Sequence, residues 1–128
     1  MLDLLVFLIG ILMKKHKQIY LIVNFGGPRD LAEVSPFLQA LLTDQDVLRT
    51  NLPAFIHRLL FSYVAKKRAK VIAEDYALIG GKSPIYDDTE QLADVLRKRL
   101  DGPVITFHRY LPATHQEFIK NMQSIDCE

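Results

Sequence analysis

Two runs rich in β-branched and aromatic residues, Ile19–Phe25 and Val104–Tyr110, are separated by a long stretch that carries only helical patterns and turns. That separation constrains the fold more than any other feature. Strands joined through helices pair in parallel, with a right-handed crossover as the rule. Ile19–Phe25 is apolar at successive positions, as in a parallel strand covered on both faces. The expectation is an α/β fold, a parallel sheet flanked by helices. Gly26-Gly27-Pro28 ends the first strand at its carboxyl side, where open α/β sheets hold ligands. Paired glycines there allow the backbone to approach a flat ligand closely. The G-x-G-x-x-G spacing of a dinucleotide site is absent.

The helical segments follow in order. Asp30 is placed to cap a helix from Leu31, with Leu31, Val34, Leu38, Leu41 and Leu42 on one apolar face. Thr43 to Asn51 is polar and turn-like, and Pro53 opens a second helix from Ala54 to about Leu78. Phe55, Ile56, Leu59, Leu60, Tyr63 and Val64 crowd its first half, and Lys66, Lys67, Arg68 and Lys70 its middle. These spacings predict a core-facing helix with a solvated basic end. Gly80-Gly81 then supplies positive-φ freedom, Ser83 an N-cap and Pro84 a first helical residue. The plain reading of this hinge is a helix–turn–helix joint. The sharper one is an anion site built from free amides near Gly81 and Lys82 and the Ser83 hydroxyl. In the third helix Ile85, Thr89, Leu92, Val95, Leu96 and Leu100 form the expected buried stripe, ended by Gly102-Pro103.

At the second strand, Arg109 and Tyr110 reach the same carboxyl edge as Gly26-Gly27. A buried arginine there requires a ligand or a carboxylate. A last helix begins near Thr114.

Composition narrows the function classes. The chain has 128 residues and a formal net charge of +1, so no basic field points to nucleic acid. Its single cysteine, Cys127, permits no internal disulfide or cysteine-held cluster, which fits a reducing cytoplasm. The apolar run Leu2–Leu12 is followed by Lys14, Lys15 and Lys17. It falls short of the roughly 20 residues of a membrane span and lacks the leading positive charge of a signal peptide. A peripheral membrane anchor and an over-extended start, with Met13 as the initiator, are the two readings of this segment. Residues 1–18 are accordingly set apart as an apolar and basic extension from an incomplete domain over 19–128.

Three blocks in register carry a family resemblance: Leu21-Ile22-Val23-Asn24-Phe25-Gly26-Gly27-Pro28, then Ile79-Gly80-Gly81-Lys82-Ser83-Pro84-Ile85 with Tyr76 and Lys66-Lys67-Arg68 before it, and Phe107-His108-Arg109-Tyr110. Together they resemble the N-terminal part of a ferrochelatase. The resemblance implies a three-layer, chelatase-like (Rossmann-like) fold, present only in part. It implies insertion of ferrous iron into protoporphyrin IX or a related porphyrin, with iron and porphyrin as substrates and no resident cofactor. Phe25, Arg68, Tyr76, Ser83, Arg109 and Tyr110 match porphyrin-contacting positions, while Lys67 stands where relatives often have a second arginine. The family's catalytic histidine and acidic partner lie later in the chain than anything here. The chain alone is therefore expected to carry part of the porphyrin wall, to bind porphyrin weakly and to insert no iron. The cytoplasm is the matching location, with peripheral membrane association through the N-terminal segment an open addition that the resemblance does not cover. The alternatives are a non-catalytic module for porphyrin or another anionic ligand, and a membrane-surface peripheral protein. Of four histidines, His16 and His57 read as incidental and His108 as packing, leaving His115 as an accessory metal-site candidate.

Overall fold

The computed structural model describes residues 18–125. The Leu2–Leu12 run, Lys14, Lys15, Lys17, His16 and Cys127 lie outside the described residues, and so does nearly all of the proposed N-terminal extension. Two strands, β1 (Tyr20–Asn24) and β2 (Val104–His108), pair in parallel, Tyr20 opposite Val104 through Asn24 opposite His108. Their ladder runs on past the strands. The amides of Arg109 and Tyr110 donate to the carbonyls of Asn24 and Phe25, each at 2.9 Å. Between the strands lie a 3-10 turn (Leu31–Glu33), α1 (Val34–Leu42), α2 (Ala54–Leu78) and α3 (Pro84–Arg97). A second 3-10 turn (Pro112–Thr114) and α4 (His115–Gln123) follow β2. The parallel α/β arrangement matches the sequence-based expectation.

Local chemistry explains the boundaries. The Asp30 carboxylate accepts from the Glu33 amide at 3.1 Å, starting the first turn. Gly80 and Gly81, at φ +96° and +80°, end α2. Ser83 then caps α3 through the Ile85 amide, with Pro84 at the first helical position.

Packing departs from the sequence-based reading in three places. First, α2 does not bury its large residues. Phe55, Leu59 and Tyr63 are 74%, 75% and 65% exposed, and Ile56 and Leu60 are exposed too. Only His57 and Ala65 are buried; Ala65 joins Val34, Phe37 and Leu38 of α1, with the partly buried Ala69, Ile72, Ala73 and Tyr76 packed against them. Alanines at the crossing let the two helices approach closely, so the bulky side chains are left outside. Secondly, α3 buries Thr89 and Ala93, while Ile85, Leu92 and Val95 are exposed. Small residues again mark the contact, here with β1 and β2. Thirdly, β1 is not covered on both faces. Leu21 and Val23 are 47% and 59% exposed, because α3 packs on the opposite face and α2 touches neither strand.

Beside the outer edge of β2 is a cavity of about 320 Å³, bordered by Thr106, His108, Glu90 and Phe118. His108 is more than packing: buried at 2% exposure, its Nε2 lies 3.1 Å from Glu90 Oε1, which also accepts from Thr106 Oγ1 at 2.6 Å. Among the described residues no helix is long and apolar enough to cross a membrane.

The turn after β1 is held against the hinge. A Cβ on Gly27 would fall 2.5 Å from both Cβ and Oγ of Ser83. In the intact protein, Gly27→Ala is therefore expected to lower the stability by about 1–3 kcal/mol. Adding Ser83→Gly should restore most of it, since glycine at an N-cap costs only a few tenths of a kcal/mol. Urea unfolding midpoints check this; an unchanged midpoint for Gly27→Ala contradicts the contact.

Candidate functional site

The carboxyl ends of β1 and β2 bring together residues far apart in sequence. Phe25 leaves β1 with 57% of its surface exposed, and its ring lies 5.2 Å from that of Tyr110. Tyr110 is 3% exposed and belongs to the core between α1 and α2. The Arg109 guanidinium stands 5.3 Å over the Tyr110 ring. Phe25, Arg109 and Tyr110 thus form one contiguous cluster. Ser83 joins the same edge from below, buried against Gly27, with its amide donating to Pro28 O at 2.8 Å. Tyr76 packs on the core cluster that contains Tyr110. Arg68 is placed apart from the rest. It lies on the exposed surface of α2, and neither it nor Lys66, Lys67 or Lys70 has an ion-pair partner among the described residues.

Two expectations for this edge are corrected. Gly26 and Gly27 do not leave room for a ligand. A Cβ on Gly26 would lie 3.0 Å from the His108 Cβ, and the space over Gly27 is filled by Ser83. The glycines serve close packing of the protein on itself. Nor are the Gly80 and Gly81 amides of the hinge free for an anion, and the Lys82 side chain is held by a carboxylate. Gly81 N donates to Tyr76 O at 2.8 Å, Gly80 N to Ala77 O at 3.4 Å, and Lys82 pairs with Asp87. The plain joint is the reading that the structure supports.

Arg109 is half exposed rather than buried, and its partner is a carboxylate. Arg109 Nη2 donates to Asp44 Oδ2 at 2.8 Å and to Asp46 Oδ2 at 3.3 Å, and the Tyr110 hydroxyl donates to the same Asp44 oxygen at 2.8 Å. Hydrogen bonds from the Asp46 amide, the Tyr110 hydroxyl and Arg109 hold the Asp44 carboxyl below its ordinary pKa. Burial, then the Asp44 carboxylate, pushes the Tyr110 phenol up. Sequence reasoning anticipated a ligand or a carboxylate here, without finding Asp44 or Asp46. The two aspartates of the polar Thr43–Asn51 turn were the one available signal.

A second ion pair fixes the turn beside the edge. Glu33 accepts from the Arg29 amide at 2.9 Å and from its Nε and Nη2 at 3.0 and 2.5 Å. Arg29 also lies over the Tyr86 ring, at 5.4 Å. The bonds from Arg29 lower the Glu33 pKa. His115 is occupied as well. Its Nε2 meets the His108 carbonyl at 3.0 Å and its ring stacks on Phe107. No group of three or more metal-ligating side chains occurs among the described residues.

Fold and edge together define an α/β unit with an aromatic and arginine cluster at the carboxyl ends of a parallel strand pair. Comparison with known proteins gives the family. Residues 18–128 match the family described as Ferrochelatase, and the chain belongs to it. It is 54% identical over 111 residues to the ferrochelatase of Chlamydia felis, covering 86% of this chain and 35% of that protein. With the ferrochelatase of Chlamydia muridarum it shares 58% identity over 99 residues, 77% of this chain and 31% of the relative. With that of Chlamydia trachomatis serovar D the figures are 55% over 104 residues, 81% and 33%. The chain spans about a third of the length of these curated relatives.

The Glu33 shift gives a pH test. A carboxylate with a depressed folded pKa stabilises above its unfolded value, about 4.3, and loses that stabilisation as pH falls through the folded value. Glu33→Gln is expected to destabilise the intact protein by about 1 kcal/mol near neutrality. The gap to the parent should close progressively below about pH 4. A gap that stays constant into acid would show that the charge of Glu33 is immaterial.

Proposed function

We propose that this chain supplies the N-terminal porphyrin-facing wall of a ferrochelatase, which inserts ferrous iron into protoporphyrin IX or a related porphyrin in haem biosynthesis. The observation that carries the proposal is the contiguous Phe25–Tyr110–Arg109 cluster at the carboxyl edge, in a chain of this family. The exposed Phe25 ring offers an apolar surface to a flat macrocycle. So does the exposed Phe55–Leu59–Tyr63 stripe of α2, whose members recur every four residues and share one face. Arg68, with no ion-pair partner among the described residues, suits a propionate through charge-assisted hydrogen bonds. Ser83 and Tyr76 support this wall: the first locks the turn under Phe25, and the second fills the core behind Tyr110.

In the reaction, ferrous iron enters the macrocycle as the two pyrrole N–H protons leave. Iron and porphyrin are both substrates, and no resident cofactor is invoked. The base that takes those protons is assigned to the length of the relatives beyond this chain. The location proposed with this activity is the cytoplasm.

The test uses the full-length protein with protoporphyrin IX and ferrous iron under anaerobic conditions. Haem formation is expected, and Arg68→Ala should weaken porphyrin binding about tenfold, the value of one charge-assisted hydrogen bond. Porphyrin binding without iron insertion would replace the enzyme by a sequestering module. Unchanged affinity in Arg68→Ala would remove Arg68 from the site.

A further inference from the structure

We propose that Asp44 is a positioning residue of the site, holding Tyr110 as a pure hydrogen-bond acceptor and Arg109 in one fixed orientation. The inference rests on the function proposed above and adds to it a residue outside the three sequence blocks that carry the resemblance.

Asp44 is well placed for the role because both of its oxygens are committed. It follows the Thr43 that ends α1, where Thr43 Oγ1 donates to Gln39 O at 2.7 Å. Its own carbonyl accepts from the amides of Val47 and Leu48 at 3.2 and 3.0 Å, and its Oδ1 accepts from the Asp46 amide at 2.8 Å. The turn therefore fixes the carboxylate before any partner arrives. Oδ2 is left to receive the Tyr110 hydroxyl and Arg109 Nη2 from across the molecule, 66 and 65 residues away.

The chemical consequence follows from donor arithmetic. A phenol has one O–H proton, and that of Tyr110 points at Asp44. Toward any ligand the Tyr110 oxygen can then only accept. Arg109 has five N–H donors, and its Nη2 is turned to Asp44 and Asp46. Its remaining donors, on Nε and Nη1, have no partner among the described residues and are aimed by that tether. The charge is also set: one guanidinium between two carboxylates sums to −1. Arg109 is therefore poorly suited to anchor a propionate by net charge, which leaves that task to the unpaired Arg68. Asp44 thus divides the labour between two arginines that the motifs alone treat alike.

The test compares the full-length wild type with Asp44→Asn, Tyr110→Phe and the double variant. Asp44→Asn is nearly isosteric, and Tyr110→Phe removes the same hydrogen bond from its other end, so the bond is tested even if one variant is unstable. Asp44→Asn is expected to lower kcat/KM for porphyrin about tenfold, the scale on which misoriented groups act. In the Tyr110→Phe background it should cost less than in the wild type, since the Tyr110 bond is already gone and only the Arg109 contact remains to be lost. Tyrosine NMR provides a readout of the Asp44–Tyr110 bond itself that needs no activity, while the split of the loss between kcat and KM separates positioning from a purely structural role. The Tyr110 titration should shift to lower pH in Asp44→Asn, while burial still keeps it above the ordinary value. A rate within twofold of wild type, additive losses, or an unmoved Tyr110 titration each overturns the inference. A wild type that inserts no iron overturns the proposed function instead, and the Tyr110 titration still decides the role of Asp44.

Discussion

Tyr110 belongs to two structures at once, and the arrangement of the chain depends on it. Its amide extends the β1–β2 ladder by bonding to Phe25 O, while its ring sits in the core between α1 and α2 and its hydroxyl reaches Asp44. The α1–α2 hairpin needs such a tie, because α2 has no packing contact with either strand. Tyr110, with the neighbouring Arg109 and the contact of α1 with the second 3-10 turn, therefore sets where the hairpin and its exposed aromatic stripe stand relative to the carboxyl edge. A buried phenol without a partner would cost about 1–3 kcal/mol, so the Asp44 bond preserves the packing as well as directing it.

The remainder of the edge is built by backbone fit. Gly26 adopts φ +82° where a side chain would meet His108, and Gly27 accepts Ser83 at a distance that no Cβ could tolerate. The hinge at Gly80-Gly81 and the turn at Gly26-Gly27 are consequently one joint: the first releases α2 and begins α3, and the second receives its cap. Against this fitted joint, the uncovered surfaces stand out. The Leu21–Val23 face of β1 and the Phe55–Leu59–Tyr63 face of α2 are apolar and open. An open strand edge and an apolar face of this kind favour association with further structure.

Much of this was legible in the sequence because it rests on local chemistry. Asp30, Ser83-Pro84 and Gly80-Gly81 act within a few residues of themselves, so their roles could be read directly. The parallel pairing was legible from the separation of the two strands. What could not be read was which helical face is buried. Phe55, Leu59 and Tyr63 outweigh Ala65 and Ala69 by hydrophobicity, yet close helix approach favours the small residues. The same competition misassigned Ile85, Leu92 and Val95 against Ala93, while Thr89 of the expected stripe is buried. Asp44 was beyond reach for a different reason. Its partners lie 65 and 66 residues away, and no periodicity links a turn aspartate to a strand-end arginine. The strand order placed Arg109 and Tyr110 at the edge that Phe25 leaves, and the structure brings the three into contact; neither the order nor the resemblance revealed what fixes them.

The central claim is that the carboxyl edge and the open face of α2 together form one wall for a macrocycle. The most direct measurement is a crystal structure of the full-length protein with bound porphyrin. The account predicts the macrocycle against Phe25 and the Phe55–Leu59–Tyr63 stripe, with a propionate on Arg68 and the Asp44–Tyr110 bond intact. A porphyrin bound elsewhere, or one whose propionate pairs with Arg109 after displacing Asp44, would contradict it.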